Sequence, residues 1–400
     1  MNILITIDRY LPEPLSSAVM IADLANEFIN RGHEVSILTG DSNLKDKKLI
    51  ATENGITIYK VRLPSRTSIG LARRLFEEIR LERRLWYSFR SELRANNFDL
   101  IISYTPTIFW SYILGKIKKK SKAKSYLVLR DIFPKWAVDT GIISKWNPVY
   151  WFLRSKEKKL YKLYDFIGVQ SISNMQYFKS DSCTNRFSLE VLFNWKRIQI
   201  NTEKEWGLRS TYNLDEKIIF IYGGNFGFAQ DMDNLLRLYK NLKDFKNIHF
   251  VMVGEGSDFN KVNNWRECIE LKDKLTIIPS VSDAEYSSIL KECNIGLISL
   301  RKDFKTDNFP GKMLGYMENR LAILASVNPG NEIKMIIEDN DVGFVCDNGD
   351  DETLLSNAKE MIRNKSMIEK MGENGSKLLA KKFNVQSAAD QILNKYLNQD

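Results

Sequence analysis

Asp307-Asn308-Phe309-Pro310-Gly311-Lys312-Met313-Leu314-Gly315-Tyr316-Met317 is the stretch on which the reading of the fold turns. Pro310 suits the opening of a helix, where a missing N–H costs nothing. Gly311 lets a bulky anion approach the backbone, and Lys312 adds positive charge beside the amides of that helix end. Together these residues describe a socket for a diphosphate. Residues 320–326 (RLAILAS) follow as a short apolar strand, and Asn328-Pro329-Gly330-Asn331 is a turn opening the next helix. The loop therefore sits between a strand and a helix of an α/β sheet, where such sheets bind ligands.

The same alternation runs outward through the chain. In the first half, 2–7 reads as a strand and 16–30 as a helix with apolar positions Ala18, Ile21, Ala22, Ala25, Phe28 and Ile29. Gly32 closes that helix and 35–38 is the next strand. Further strands are expected at 56–61, 100–103, 125–129, 166–169 and 189–193. The second half repeats the scheme at 218–222, 249–253, 275–278, 295–299, 322–325 and 343–345. Such alternation implies an α/β protein with parallel sheets wrapped by helices. Four hundred residues exceed one hydrophobic core, so two domains are expected. Polar 196–213 is the best linker, dividing 1–198 from 199–383. The last helical segment, within 384–400, has no following strand and is free to pack back on the first domain.

Composition narrows the chemistry. Apolar content of 44% with 27% charged residues is that of an ordinary globular protein. Met1 to Ile7 is interrupted at once by Asp8-Arg9, unlike a signal peptide, and no apolar run approaches the roughly 20 residues that span a bilayer. A cytoplasmic protein is expected. Cys183, Cys268, Cys293 and Cys346 are isolated and read as reduced, buried thiols. His33 and His249 each precede an apolar strand and read as structural, which disfavours a histidine-based triad or a zinc site. Charge is uneven. The first 200 residues carry 33 Lys and Arg against 19 Asp and Glu, the remainder 26 against 31. Two halves of opposite sign imply different partners.

Several loops are candidates for chemistry. Tyr222-Gly223-Gly224-Asn225-Phe226-Gly227 follows a strand and precedes a helix from about Asp231, so its amides can face a phosphate; a plain β–α turn reads the same way. Val253-Gly254-Glu255-Gly256 lacks the third glycine of a dinucleotide fingerprint, Phe259 standing in its place, and reads as a structural turn. Asp231-Met232-Asp233 and Asp339-Asn340-Asp341 match a D-x-D pattern for divalent metals, but fit helix capping and a turn better. In the basic half, residues 66–94 mix Arg73, Arg74, Arg80, Arg83, Arg84 and Arg90 with Leu75, Phe76, Trp86 and Phe89. Lysine-rich runs likewise follow Phe109-Trp110 and Trp151-Phe152. Basic aromatic helices suit the headgroup layer of an anionic membrane, and no nucleic-acid motif accompanies them. Arg130-Asp131 follows the strand ending at Leu129, at a strand's C-terminal end. Asp131 is either an ion-pair partner of Arg130 or an acceptor-side group.

With these residues laid out, the chain resembles retaining glycosyltransferases of the GT-B fold, similar to glycosyltransferase family 4. Tyr10-Leu11-Pro12-Glu13-Pro14 with the following helix resembles the family's opening. Asn194-Trp195 matches its interdomain pair, 223–227 its glycine loop and 309–317 its donor loop. Residues 129–141 (LRDIFPKWAVDTG) and 326–331 (SVNPGN) resemble the WbuB-type subgroup, which adds N-acetyl-L-fucosamine to a lipid-linked sugar in O-antigen or capsule assembly. Two departures stand out. Where many relatives carry a Glu, seven residues and a second Glu that holds ribose, this chain has Asp307 and Gly315. The usual Arg and Lys after the glycine loop are also absent, Ala229-Gln230 standing nearby.

The resemblance implies two Rossmann-like domains facing a cleft, and transfer of a sugar from a UDP-sugar to a polyprenyl-diphosphate-linked sugar. Donor binding is expected from Gly223, Gly224, Asn225, Asp307, Phe309, Pro310, Gly311, Met313 and Leu314, with Ser16 and Ser17 meeting the phosphate from the first domain. Lys312, Arg130 and Asp131 are the expected catalytic residues. No metal or other cofactor is expected. The protein would work on the inner face of the cytoplasmic membrane, with its anionic surface as a partner. A UDP-sugar 2-epimerase of the same architecture and a non-catalytic sugar-nucleotide-binding protein remain the alternatives.

Overall fold

A computed structural model describes the chain except residues 14, 66–69, 140, 181–187, 199–204, 268–270, 272, 304–308 and 398–400. It divides into two compact units, Met1–Arg197 with Val385–Asp400, and Ile198–Asn384.

The first unit runs β1 (Asn2–Arg9), α1 (Ser16–Asn30), β2 (Glu34–Asp41), β3 (Lys48–Glu53), β4 (Ile56–Arg62), α2 (Leu71–Ala95), β5 (Leu100–Tyr104), α3 (Ser111–Lys118), β6 (Lys124–Leu129), α4 (Lys135–Asp139), α5 (Pro148–Tyr161), β7 (Phe166–Val169), α6 (Ile172–Ser180) and β8 (Ser188–Val191). Its eight-stranded sheet has the order β3-β4-β2-β1-β5-β6-β7-β8. Short, wholly buried runs such as Leu100–Tyr104 form the central strands, because a sheet covered on both faces selects continuous apolar segments. The expected strands are present, but the sheet is not purely parallel. β3 pairs antiparallel with β4 through Asn54 and Gly55, both at positive φ (52° and 79°). The Asn-Gly pair is the hairpin signal for this mostly exposed edge strand, which apolar periodicity could not reveal.

α1 buries Ala18, Ile21, Ala22, Leu24, Ala25 and Phe28 on the sheet. On the same helix, the Trp195 indole N–H donates to the Met20 carbonyl at 2.8 Å. The Asn194-Trp195 pair thus closes the first unit, and burying a side chain of this size stabilises by about 1.5–3 kcal/mol. The terminal helix, α15 (Val385–Leu397), belongs to the same unit. It lays Val385, Ala388, Ala389, Ile392 and Leu393 into the core that also holds α1, and Asp390 accepts from Arg31 at 2.6 Å.

Glu82 of α2 is a buried carboxylate that accepts the Tyr112 amide (2.6 Å) and the Ile113 amide (3.4 Å) at the start of α3. Burial raises its pKa to about 7, against the pull of those amides. The folded protein holds this proton up to about pH 7, whereas the unfolded chain releases it near 4.5. Stability therefore falls as pH rises from about 5 to 7, by an amount on the order of 2–3 kcal/mol. Glu82→Gln keeps the acceptor and is expected to flatten that part of a denaturant-midpoint profile against pH. An unchanged slope would show that Glu82 does not titrate there.

The second unit runs α7 (Leu208–Tyr212), β9 (Ile218–Gly223), α8 (Met232–Asn241), β10 (Ile248–Val253), α9 (Phe259–Asn263), β11 (Leu275–Ile278), α10 (Asp283–Lys291), β12 (Ile295–Ser299), α11 (Lys312–Glu318), β13 (Ala322–Val327), α12 (Ile333–Glu338), β14 (Gly343–Asp347), α13 (Asp351–Arg363) and α14 (Lys365–Lys382), before α15 (Val385–Leu397) returns to the first unit. Its six strands are all parallel, in the order β11-β10-β9-β12-β13-β14. The polar stretch read as linker is structured at its end. Leu208 is fully buried, and buried Glu292 accepts the Gly207 and Arg209 amides at 2.8 Å each. The cysteines described, Cys293 and Cys346, are buried free thiols; Cys183 and Cys268 lie outside the described residues. His249 is buried against the Thr276 hydroxyl at 2.9 Å, and burial lowers its pKa to about 4, so it is structural.

Candidate active site

In the second sheet the chain starts at β9, builds outward through β10 to β11, then returns to β12 on the other side of β9. The loops leaving β9 and β12 therefore diverge at their C-terminal ends, the position where open α/β sheets hold ligands. The first is the glycine loop 223–227. The second leads to Pro310 and α11. Sequence-distant Gly224 and Lys312 are brought together there: a methyl group built on Gly224 would lie 3.8 Å from Lys312 Nζ.

The stem of Lys312 is partly exposed, while Nζ is buried and has no hydrogen-bond partner among the described residues. It lies 3.6 Å from the centroid of the Tyr222 ring. That face supplies part of the missing solvation, about 0.5–2 kcal/mol. Burial without a counter-anion pulls the Lys312 pKa down to about 7. A bound anion beside an ammonium so placed would offset the cost of its burial.

Tyrosines that the sequence reading passed over build the floor. Tyr222 carries Lys312 on its ring and donates its hydroxyl to the Asn225 carbonyl at 2.9 Å. The Tyr316 hydroxyl accepts the Gly223 amide (3.3 Å) and donates to the Leu297 carbonyl (3.1 Å). A side chain on Gly223 would overlap the Tyr286 phenol. The signal for Tyr222 was its place immediately before Gly223-Gly224; nothing local marked Tyr286 or Tyr316.

Several expected donor contacts are corrected. The Gly223 amide is taken by Tyr316 and the Gly224 amide by the Val253 carbonyl at 2.9 Å, so neither is available to a phosphate. The Phe226 amide is likewise held by the Glu255 carbonyl at 2.8 Å. The Asn225 and Gly227 amides have no protein acceptor among the described residues and are the loop's open donors. Phe309 packs on Phe383, ring centroids 5.4 Å apart, and Pro310, Met313 and Leu314 are buried. The Met313 and Leu314 amides bond the Pro310 and Gly311 carbonyls at 3.0 and 3.1 Å. These residues position the loop rather than offer donors. Gly311 is exposed, and a side chain there would meet nothing within 4 Å. Asp307 lies outside the described residues. Gly254 and Gly256 brace the loop, since a Cβ on either would overlap a backbone carbonyl oxygen of Gly224 or Phe226.

On the first unit, Ser16 and Ser17 open α1. The Ala18 and Val19 amides both bond the Leu15 carbonyl, leaving the Ser16 and Ser17 amides and hydroxyls without protein partners among the described residues. The expected catalytic part for Arg130 is corrected. Its guanidinium is buried, donates to the Leu192 carbonyl (2.5 Å) and the Phe193 carbonyl (3.1 Å), and lies 5.1 Å from the Trp195 ring centroid. It ties the end of β6 to the segment after β8. Asp131 makes no ion pair with Arg130 among the described residues and is exposed. The D-x-D residues do other things: Asp231 sits at positive φ before α8, and Asp233 pairs with Lys261 at 2.6 Å. No group of three or more His, Cys, Asp or Glu among the described residues is arranged to hold a metal ion.

Residues 206–378, which carry both loops, match the family model of the glycosyl transferases group 1. That match lies within the second unit and spans less than half of the chain. A probable glycosyltransferase, WbjE of Pseudomonas aeruginosa, is 23% identical over 266 residues, covering 65% of this chain and 65% of its own length. The match thus spans just under two thirds of that relative. Sucrose-phosphate synthase from Thermosynechococcus elongatus superposes with a TM-score of 0.74 at 13% identity, covering 99% of this chain and 98% of that one. HepE from Anabaena, solved in complex with UDP-glucose, gives 0.68 at 13% identity over 99% of both chains. At such identities the likeness establishes the fold, which is the α/β GT-B type with two parallel-strand sheets. No helix among the described residues is long and apolar enough to cross a membrane.

Proposed function

We propose that the chain is a retaining glycosyltransferase, similar to family 4 and to its WbuB-type subgroup, which moves a sugar from a UDP-sugar to a polyprenyl-diphosphate-linked sugar acceptor. N-acetyl-L-fucosamine is the donor sugar that the sequence resemblance names, and O-antigen or capsule assembly the setting. The observation that carries the reading is the buried, unpartnered Lys312 ammonium beside Gly224, within the residues that match the group 1 family model.

The donor diphosphate occupies the mouth between the Asn225 amide and Lys312. Breaking the bond from the sugar C1 to phosphate oxygen develops negative charge on the leaving diphosphate. A preorganised cation there is worth about 3–4 kcal/mol in the transition state. The acceptor oxygen bonds to C1 on the face the phosphate leaves, and its proton passes to a phosphate oxygen, releasing UDP with the anomeric configuration kept. This scheme calls on no resident metal or other cofactor. Asp131, an unpaired carboxylate, is assigned to the acceptor side, Arg130 to positioning, and Ser16 and Ser17 to the phosphate. The acceptor's lipid tail places the enzyme at the inner membrane face as a peripheral protein.

The test is UDP release over a panel of UDP-sugars with a short polyprenyl-diphospho-GlcNAc acceptor. Release that depends on acceptor, with a product of retained configuration, is expected. Epimerised UDP-sugar formed without acceptor would replace the reading by an epimerase. Donor binding with no UDP released would leave a binding protein.

A further inference from the structure

A groove of about 770 Å³ on the first unit is lined by Ile79, Arg80, Arg83, Arg84 and Tyr87 of α2 and by Phe152 and Lys156 of α5. Arg84 is paired with Glu77 at 2.9 Å. The other three cations make no ion pair within 4 Å among the described residues and lie on aromatic rings instead, although the charges of Arg83 and Lys156 are felt by buried Glu82. Arg80 is 4.4 Å from the Phe76 centroid, Arg83 is 5.7 Å from that of Tyr112, and Lys156 is 5.2 Å from that of Phe152. Nearby carboxylates are occupied elsewhere: Glu82 by the start of α3, Glu78 by Arg74, and buried Glu157 by Arg154 and the Tyr161 hydroxyl. The groove is therefore a positive depression with apolar walls.

Its surroundings are unusually apolar for a solvated surface. Phe76, Tyr87, Val149, Trp151 and Phe152 are exposed, and Trp146, just before α5, is 92% exposed. Exposed indole rings just before and within α5, the helix that carries Lys156, match the interfacial layer of a bilayer, where rings sit at headgroup depth and lysines and arginines meet lipid phosphates.

We propose that this groove docks the protein on the phosphate headgroups of an anionic bilayer, with Trp146, Trp151 and Phe152 entering the interface. This deepens the reading of a lipid-linked acceptor, on which it rests, by naming the surface that meets the membrane. Nucleic acid would use the cations but gives no place to Trp146 and Val149. A soluble phosphate would need no apolar rim.

The experiment is co-sedimentation with vesicles of phosphatidylcholine containing phosphatidylglycerol, against phosphatidylcholine alone. The wild type is compared with Arg83→Gln/Lys156→Gln and with Trp146→Ser/Trp151→Ser. The wild type is expected to bind the anionic vesicles preferentially. The charge variant should lose about fivefold in partitioning for each cation removed. The tryptophan variant should weaken on anionic vesicles too, and both should keep wild-type affinity for UDP. Wild-type vesicle binding by the charge variant would overturn the proposal. So would displacement of the wild type from vesicles by inorganic phosphate, or by an RNA oligonucleotide bound in the same groove. UDP binding reads the donor site separately, so failure there, with vesicle binding intact, counts against the transferase reading alone.

Discussion

Lys312→Met is expected to abolish most turnover, by about 10²–10³-fold, while making the fold more stable near neutral pH. In the proposed mechanism the loss follows from removing the buried cation beside the leaving diphosphate, a contact worth about 3–4 kcal/mol. The gain follows from linkage. Lys312 titrates near 7 when folded and near 10.5 when unfolded. Between those values the unfolded chain binds more protons, so stability rises with pH. Below pH 7 the full cost of burying the ammonium is present, several kcal/mol at most. Methionine fills the space without charge, so its denaturant midpoint should exceed wild type at pH 6–7 and lack the rise between pH 7 and 10. Binding of UDP should in turn restore the proton. Calorimetric titrations at pH 8 in buffers of different ionisation enthalpy should show proton uptake by the wild type and none by Lys312→Met. Near-normal turnover in Lys312→Met would sink the site assignment.

The second large effect is expected at Gly254. Its φ of 150° and the overlap of any Cβ with the Gly224 carbonyl leave no room for a side chain, and the obstacle is backbone. Gly254→Ala must push β10 and the glycine loop apart, breaking the Gly224 amide's bond to the Val253 carbonyl. A cost of about 3 kcal/mol or more is expected, with a melting-temperature drop of roughly 6–12 °C and loss of donor binding. Gly311→Ala is the contrast. Gly311 has an ordinary φ of −55° and open space, so its melting temperature should hold while UDP affinity falls. Equal behaviour of the two variants would mean that the loop is not braced as described.

The alternation of strands and helices was legible because parallel strands buried on both faces must be short and apolar. Leu275–Ile278 and Ile295–Ser299 begin and end where their residues say they should. The 15 residues of α1 were legible for a related reason, a single apolar face opened by Ser16 and closed before Gly32. Lys312 was legible because proline, glycine and lysine at a helix start make a local pattern. What could not be read was which neighbour each group would meet. Gly223 and Gly224 looked like free phosphate donors, yet their amides are claimed by Tyr316, 93 residues away, and by the adjoining strand. Arg130 looked catalytic because it ends a strand, and carbonyls more than 60 residues later hold it. Met313 and Leu314 share a motif with Lys312 but are buried, whereas the stem of Lys312 is partly exposed, and nothing in the motif itself separates them.

The path of α15 has a consequence for how this protein is made. The first unit is completed by residues 385–397, so the second is an insertion within it rather than an appendage. A ribosome emits the whole second unit before the helix that covers α1. The uninterrupted second unit can mature during synthesis, whereas the first must wait with the apolar surface around Ala22, Ala25 and Trp195 uncovered. Dividing the gene at residue 197 would therefore not yield two independent halves. A self-sufficient first unit requires the C-terminal helix to be spliced back onto it.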